Sequence, residues 1–197
     1  YIYDIFSKKL TEVAPFTVDL LLPSGAENLN YVLYTDESPY KMQREWLDRL
    51  PFDIYSVNVH TGAKRLIGRS YRTAPKWSVN GKWAVMYDPI AQVWNKFDGA
   101  TGKVVNISDA IGYPMFMESY DKPAPAPAYG IAGWTADGNN VFLYDAYDWW
   151  KIDLTGERRP ECLTKGYGRK HGKAIRKMTS NIDKDVFQKD EKVIVSL

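Results

Sequence analysis

The chain has a single cysteine, Cys162, and only two histidines, His60 and His171. One thiol rules out an internal disulfide framework and says nothing about redox compartment. No stretch approaches the roughly 18 consecutive apolar residues of a transmembrane helix, and no secretory leader is visible. Charge of either sign is not in excess: 26 Lys and Arg stand against 24 Asp and Glu, a net of +2. The field of the whole molecule is therefore too weak to imply a nucleic-acid partner. No metal or cofactor is expected. What the chain has in quantity is aromatic residues, 14 Tyr and 7 Trp among them. They fit sheets packed through large side chains and argue against disorder. Its 197 residues suffice for one sizeable core. The sequence opens on Tyr1 and stops at Leu197, each apparently inside a strand, so both ends are expected to be cuts within a longer protein.

Residues 129–164 read as one complete four-stranded unit. Tyr129 to Trp134 leads into Asp137-Gly138, which can supply the positive φ angles of a tight turn. Val141 to Asp145 is apolar and aromatic, as strands prefer. Asp148 to Asp153 follows, Thr155-Gly156 turns the chain, and Glu161 to Thr164 closes an antiparallel meander. The unit recurs. Trp77-Ser-Val-Asn-Gly-Lys-Trp-Ala-Val-Met-Tyr87 matches Trp134-Thr-Ala-Asp-Gly-Asn-Asn-Val-Phe-Leu-Tyr144 position by position, with Asp88 and Asp145 next in each. Asp53 to Gly62 and Gln92 to Gly102 echo Asp148 to Gly156. The three Thr-Gly turns lie 40 and 54 residues apart, a spacing that suits propeller blades with insertions. A lone blade has two unburied faces, so blades stack face to face around an axis.

The predicted class is all-β, one partial β-propeller domain over 1–197. Three full four-stranded blades fall near 16–68, 73–107 and 129–164, with partial blades at 1–10 and 173–197. Two interruptions stand out. Tyr40 to Leu50 places Met42, Trp46 and Leu50 at i, i+4 and i+8, which predicts a short helix with Ser38 as N-cap, Pro39 in its first turn and Pro51 ending it. Residues 109–128 form a long connection whose run from Asp121 to Ala128 alternates proline and favours an extended backbone. Closed propellers need about four to eight blades. An arc of three would leave apolar end faces, so self-association through the truncated blade edges is expected.

Tyr129-Gly-Ile-Ala-Gly-Trp-Thr135, Tyr144-Asp-Ala-Tyr-Asp-Trp-Trp-Lys-Ile-Asp153 and Leu163-Thr-Lys-Gly-Tyr-Gly-Arg-Lys170 resemble the N-terminal propeller of prolyl oligopeptidase-family serine peptidases. The likeness is to the large secreted or periplasmic members of Bacteroides-type bacteria and spans roughly residues 50–180. It implies that a propeller precedes an α/β-hydrolase domain bearing a Ser-Asp-His triad. The propeller would narrow access, so that short peptides enter and folded proteins do not. It also implies a periplasmic or secreted location, a peptide substrate and a missing C-terminal hydrolase domain as partner. This chain contains no Gly-x-Ser-x-Gly nucleophile elbow, and no Ser motif lies near His60 or His171. No catalytic residue is assigned, and the chain alone is expected to hydrolyse nothing. A peptide-, protein- or glycan-binding scaffold with no hydrolase is the competing reading.

Trp77, Trp94, Trp134, Trp149 and Trp150 sit at repeated blade positions, where packing requires them. Trp46 is not explained by the repeat and becomes a candidate contact. Glu118 and Asp121, in the long connection, are the other two candidates for substrate contact, as carboxylates able to meet an amine. Lys165, Arg169, Lys170, Lys173, Arg176 and Lys177 form a basic loop with no acid between them, expected to be solvated. Asp145, Asp148 and Asp153 are expected to serve turns and strand ends. Cys162, in a closing strand, is expected to be buried and inert.

Overall fold

The computed structural model describes residues 1–15, 18, 20–25, 29–47, 49–178 and 185–197. By compactness the chain falls into two units. One comprises 1–77, 81–86 and 97–104, the other 78–80, 87–96 and 105–197.

The first unit opens with a hairpin of β1 (Ile2–Asp4) and β2 (Lys9–Thr11), paired antiparallel. A four-stranded antiparallel meander follows: β3 (Leu20–Pro23), β4 (Tyr31–Asp36), β5 (Phe52–Asn58) and β6 (Lys64–Tyr71), in that spatial order. Residues 16, 17, 19, 26–28 and 48 of the predicted blade 16–68, and 179–184 of the predicted partial blade 173–197, lie outside the described residues. Burial is graded across the sheet. The central strand β4 is buried along nearly its whole length, whereas β3 is mostly exposed. A strand covered on both faces reads as a continuous apolar run, and Tyr31-Val-Leu-Tyr is such a run. Its alternate side chains enter different cores. Leu33 joins Phe52, Ile54, Ile67 and Tyr71 against Ala84, Met86 and Phe97. Tyr34 joins Val13 and Val57, and its ring stacks on Tyr55 at 5.0 Å. The sheet is thus packed on both sides, as the stacking argument requires.

A second meander has β7 (Lys76–Trp77), β8 (Trp83–Asp88), β9 (Val93–Asp98) and β10 (Val104–Asn106) as successive neighbours, its residues divided between the two units. In the first unit Trp77 donates its indole N–H to the Leu22 carbonyl at 2.9 Å. In the second, Tyr87 and Trp94 pack with ring centroids 5.4 Å apart.

The third meander lies wholly in the second unit: β11 (Ile131–Thr135), β12 (Asn140–Tyr144), β13 (Trp149–Asp153) and β14 (Glu161–Cys162). The all-β class and the four-stranded antiparallel sheets are as predicted. The turns carry the expected chemistry. Gly62, Gly102 and Gly156 take φ of 74°, 66° and 85°. Side-chain oxygens of Asn58 and Asp98 accept backbone N–H groups two and three residues on, closing local turns at the strand ends.

Three expectations are corrected. The segment after β4 is a 3-10 stretch, Ser38–Gln43, entered from Glu37 rather than capped by Ser38, with Pro39 in its first turn as expected. Leu50 is buried, but Met42 and Trp46 are 85% and 76% exposed, so the apolar stripe has no surface to bury and no α-helix is stabilised. The third sheet has five strands. β16 (Val186–Phe187) runs parallel to β11, with Trp134 opposite Val186 and Thr135 opposite Phe187. Gly133 permits this: a Cβ there would lie 2.5 Å from the Phe187 ring and 2.7 Å from the Asp185 carbonyl. The predicted last partial blade therefore gives up one strand. The remainder, β15 (Arg176–Lys177) and β17 (Val195–Ser196), pairs antiparallel. The basic loop, third, contains a short helix, α1 (Tyr167–His171).

The 109–128 connection is tied down. Phe116 bridges Ala128, the Met117 N–H donates to the Pro127 carbonyl at 2.8 Å, and the buried Tyr87 hydroxyl donates to the Ala126 carbonyl at 3.0 Å.

Candidate functional site

The turn between β12 and β13 organises the best-defined site. Asp145 is completely buried. Its Oδ1 accepts the amides of Tyr147 and Asp148, both at 2.6 Å, which closes the turn. Its Oδ2 accepts the Trp150 indole N–H at 3.0 Å and Arg169 Nη2 at 3.3 Å. Asp148 is 2% exposed. It accepts the Thr164 hydroxyl at 2.5 Å, the Gly168 amide at 2.9 Å and the Arg169 amide at 3.0 Å. Every oxygen of the two carboxylates is engaged, which is the condition under which buried charge is tolerated. The expectation that these acids serve turns and strand ends holds for both.

The basic loop is drawn onto this turn through Arg169 and Arg176, and its predicted solvated state is corrected at these two and at Lys177, whose side chain is 16% exposed and bonds the Ala132 carbonyl at 3.2 Å and Asp185 at 3.1 Å. Arg169 pairs with Asp145, and its guanidinium lies 4.0 Å from the Tyr113 ring centroid and 5.1 Å from that of Tyr147. Arg176 donates through Nη2 to the Asp145 and Ala146 carbonyls at 2.9 and 3.0 Å, and faces the Tyr144 ring at 4.7 Å. Burial holds the Arg176 guanidinium below the usual arginine value. Gly168 makes the approach possible. A Cβ there would sit 2.5 Å from the Tyr147 carbonyl and 2.7 Å from the Lys173 carbonyl. Trp149, on the other side of the strand, donates its indole N–H to the Ile175 carbonyl at 2.9 Å.

Beside this network lies a cavity of about 460 Å³. Tyr113 and Trp150 supply aromatic surface, their ring centroids 6.1 Å apart. Lys165, Arg169 and Lys170 supply positive charge, and Asp148, already fully engaged, supplies the lining carboxylate. Cys162 and Gly166 complete the lining. Cys162 is half-buried rather than sealed in a core. Its sulfur accepts the Gly166 amide at 3.3 Å and lies 3.6 Å from the Thr164 hydroxyl. A second cavity of about 300 Å³ is lined by charges of both signs, among them Lys96, Asp109, Asp153 and Arg158. Lys96 is already bonded to the Leu154 carbonyl, and Asp153 to the Thr155 hydroxyl and the amides of Thr155, Glu157 and Arg158.

The residues singled out for substrate contact lie elsewhere. Glu118 and Asp121 are exposed on the long connection and line neither cavity. The Glu118 amide is held by the Tyr129 hydroxyl at 3.1 Å. Trp46, three residues past the 3-10 stretch, is exposed. Of the repeated tryptophans, Trp94, Trp134, Trp149 and Trp150 are buried and Trp77 packs partly buried on the first core, as packing positions should. His60 meets Asn30 at 3.1 Å, and His171 lies against the Tyr167 ring. Among the described residues no group of three or more His, Cys, Asp or Glu is arranged to hold a metal ion, and no helix is long and apolar enough to cross a membrane. The cavity was not foreseen. Its signal in the sequence was the pair of acids in Tyr-Asp-Ala-Tyr-Asp, about twenty residues upstream of cations that lack acids of their own.

No protein-family model and no curated protein matches the chain. Among solved structures it is similar to the β-propeller domain of the Trilobed protease from Pyrococcus furiosus, described as having an open velcro topology. The identity is 15% and the TM-score 0.40, over 74% of this chain and 41% of that one. It is also similar to TolB from Acinetobacter baumannii, at 14% identity and a TM-score of 0.29, over 68% of this chain and 41% of that one. The chain thus spans well under half the length of either structure.

Proposed function

We propose that the chain is a non-catalytic, blade-built domain of a secreted or periplasmic serine peptidase of the prolyl oligopeptidase type, and that it narrows access to a separate hydrolase domain. The observation that carries this reading is a coincidence of two features. The stretches that resemble the family's propeller, 144–153 and 163–170, are also those knitted together through Asp145, Asp148 and Arg169. A motif held by buried polar bonds of this kind specifies a structure, not a reaction. The lack of a nucleophile elbow fits the same role.

The test is the complete reading frame, followed by the full-length protein. The expected frame encodes a nucleophile elbow with Asp and His after it. The full-length enzyme is expected to react with a fluorophosphonate probe and to cleave short peptides while sparing the same sequences inside a folded protein. A frame with no hydrolase domain overturns the proposal. The competing scaffold reading is favoured by one observation, the aromatic and cationic cavity beside Trp150. The glycan form of that reading draws little support from the repeated tryptophans, which are turned to packing.

A further inference from the structure

We propose that the cavity beside Trp150 binds a small organic carboxylate carried next to an aromatic or apolar group, of which the C-terminal residue of a peptide is the natural form. Its volume of about 460 Å³ falls within the range of small-ligand sites. Its lining charges are unequal. Lys165, Arg169 and Lys170 face one carboxylate, Asp148, whose oxygens are already taken by the Thr164 hydroxyl and two amides. Arg169 is offset by Asp145. No hydrogen bond or ion pair among the described residues engages the Lys165 or Lys170 ammonium groups. Three lining cations against one lining carboxylate leave positive charge in excess, which favours an anion. Arg176, bonded to backbone carbonyls of the turn, is not part of the lining.

Two further details point the same way. Arg169 Nε is buried with no hydrogen-bond partner among the described residues. Buried donors are nearly always satisfied, so the guanidinium that lines the cavity is incompletely bonded by the described residues. Tyr113 and Trp150 line the cavity with ring centroids 6.1 Å apart, and the Arg169 guanidinium lies 4.0 Å from the Tyr113 ring, so the group attached to the carboxylate meets apolar surface rather than water. A bare phosphate uses the charges and leaves that surface idle. The inference stands apart from the peptidase reading, since the site is complete within this chain and requires no hydrolase domain.

Titration calorimetry at low ionic strength, with N-acetylphenylalanine, its amide and inorganic phosphate as probes, tests the proposal. The acid is expected to bind saturably and at least about tenfold more tightly than the amide or phosphate. The exposed double substitution Lys165→Ala/Lys170→Ala is expected to weaken the acid by at least about tenfold while circular dichroism and the melting temperature stay unchanged. Amide chemical-shift changes on adding the acid are expected to centre on residues 165–170. Equal binding of acid and amide overturns the proposal, as does phosphate binding more tightly than the acid. No saturation up to about 10 mM, no effect of the double substitution, or shifts centred elsewhere overturns it equally.

Discussion

Asp145 and Asp98 occupy the same kind of turn and should respond very differently to truncation. Both accept two backbone amides. Asp145 is also buried and holds the Trp150 indole and Arg169. Asp145→Ala leaves the arginine, the indole and two amides without their acceptor, and is expected to cost about 3–5 kcal/mol in urea unfolding. Asp98→Ala removes only the local turn bonds, with an expected cost of about 1 kcal/mol. A second residue gives a pH signature. Burial, with a smaller push from Asp88, raises the Tyr87 hydroxyl to about 12. The unfolded chain ionises near the ordinary tyrosine value of about 10, so this contribution to stability is intact below pH 10 and lost as pH rises toward 12. Tyr87→Phe is expected to flatten that part of an alkaline stability profile, and to cost about 1 kcal/mol at neutral pH through the lost bond to the Ala126 carbonyl.

The turns between strands are where local sequence and packing can be separated. Gly156 and Gly138 both have positive φ, 85° and 68°. A Cβ at 156 meets nothing within 4 Å, whereas one at 138 would lie 2.7 Å from the Asn80 amide nitrogen. Gly156→Ala is therefore expected to cost only the left-handed backbone penalty, about 1–2 kcal/mol. Gly138→Ala should cost at least about 1 kcal/mol more than that, and thermal melts of the two variants decide the comparison. The elements of this kind were the legible part of the sequence. The strands of the second and third meanders were readable because Asn-Gly, Asp-Gly and Thr-Gly turns act within a few residues. What was illegible depended on distant partners. Met42, Trp46 and Leu50 have helical spacing, yet spacing stabilises a helix only when its stripe is covered, and two of the three are exposed. The parallel pairing of β16 rests on the missing side chain of Gly133, some fifty residues away. The cavity joins Tyr113, Trp150 and residues 162–170. The reading of its cations as a solvated run looked for acids inside the loop, and the acids stand in the turn before it.

At the scale of the molecule, many carboxylates are used as acceptors for the chain's own turns, and this sets an acid limit. The Thr135 hydroxyl and the Asn139 amide hold Asp137 below the ordinary aspartate value. At Asp153 burial works in the opposite direction. It is outweighed by the Thr155 hydroxyl and the amides of Thr155, Arg158 and Glu157, so the net shift is also downward. A carboxyl lowered on folding stabilises the fold above its unfolded value, about 3.9, and loses that contribution as pH falls through the folded value. Stability is thus expected to be insensitive to these groups above about pH 5 and to fall steadily below pH 4. Asp137→Asn and Asp153→Asn should each reduce the slope of the acid limb in unfolding measured by circular dichroism.

The exposed indole of Trp46 has an optical consequence. Four of the seven tryptophans are buried and Trp77 and Trp83 are half-buried, so the emission of the folded protein should contain one long-wavelength, iodide-quenchable component from Trp46 above a shorter-wavelength background. Trp46→Phe is expected to remove that component without moving the melting temperature. The remaining fluorescence would then report only on the sheets, which gives the protein an internal contrast between its surface and its cores with no label attached.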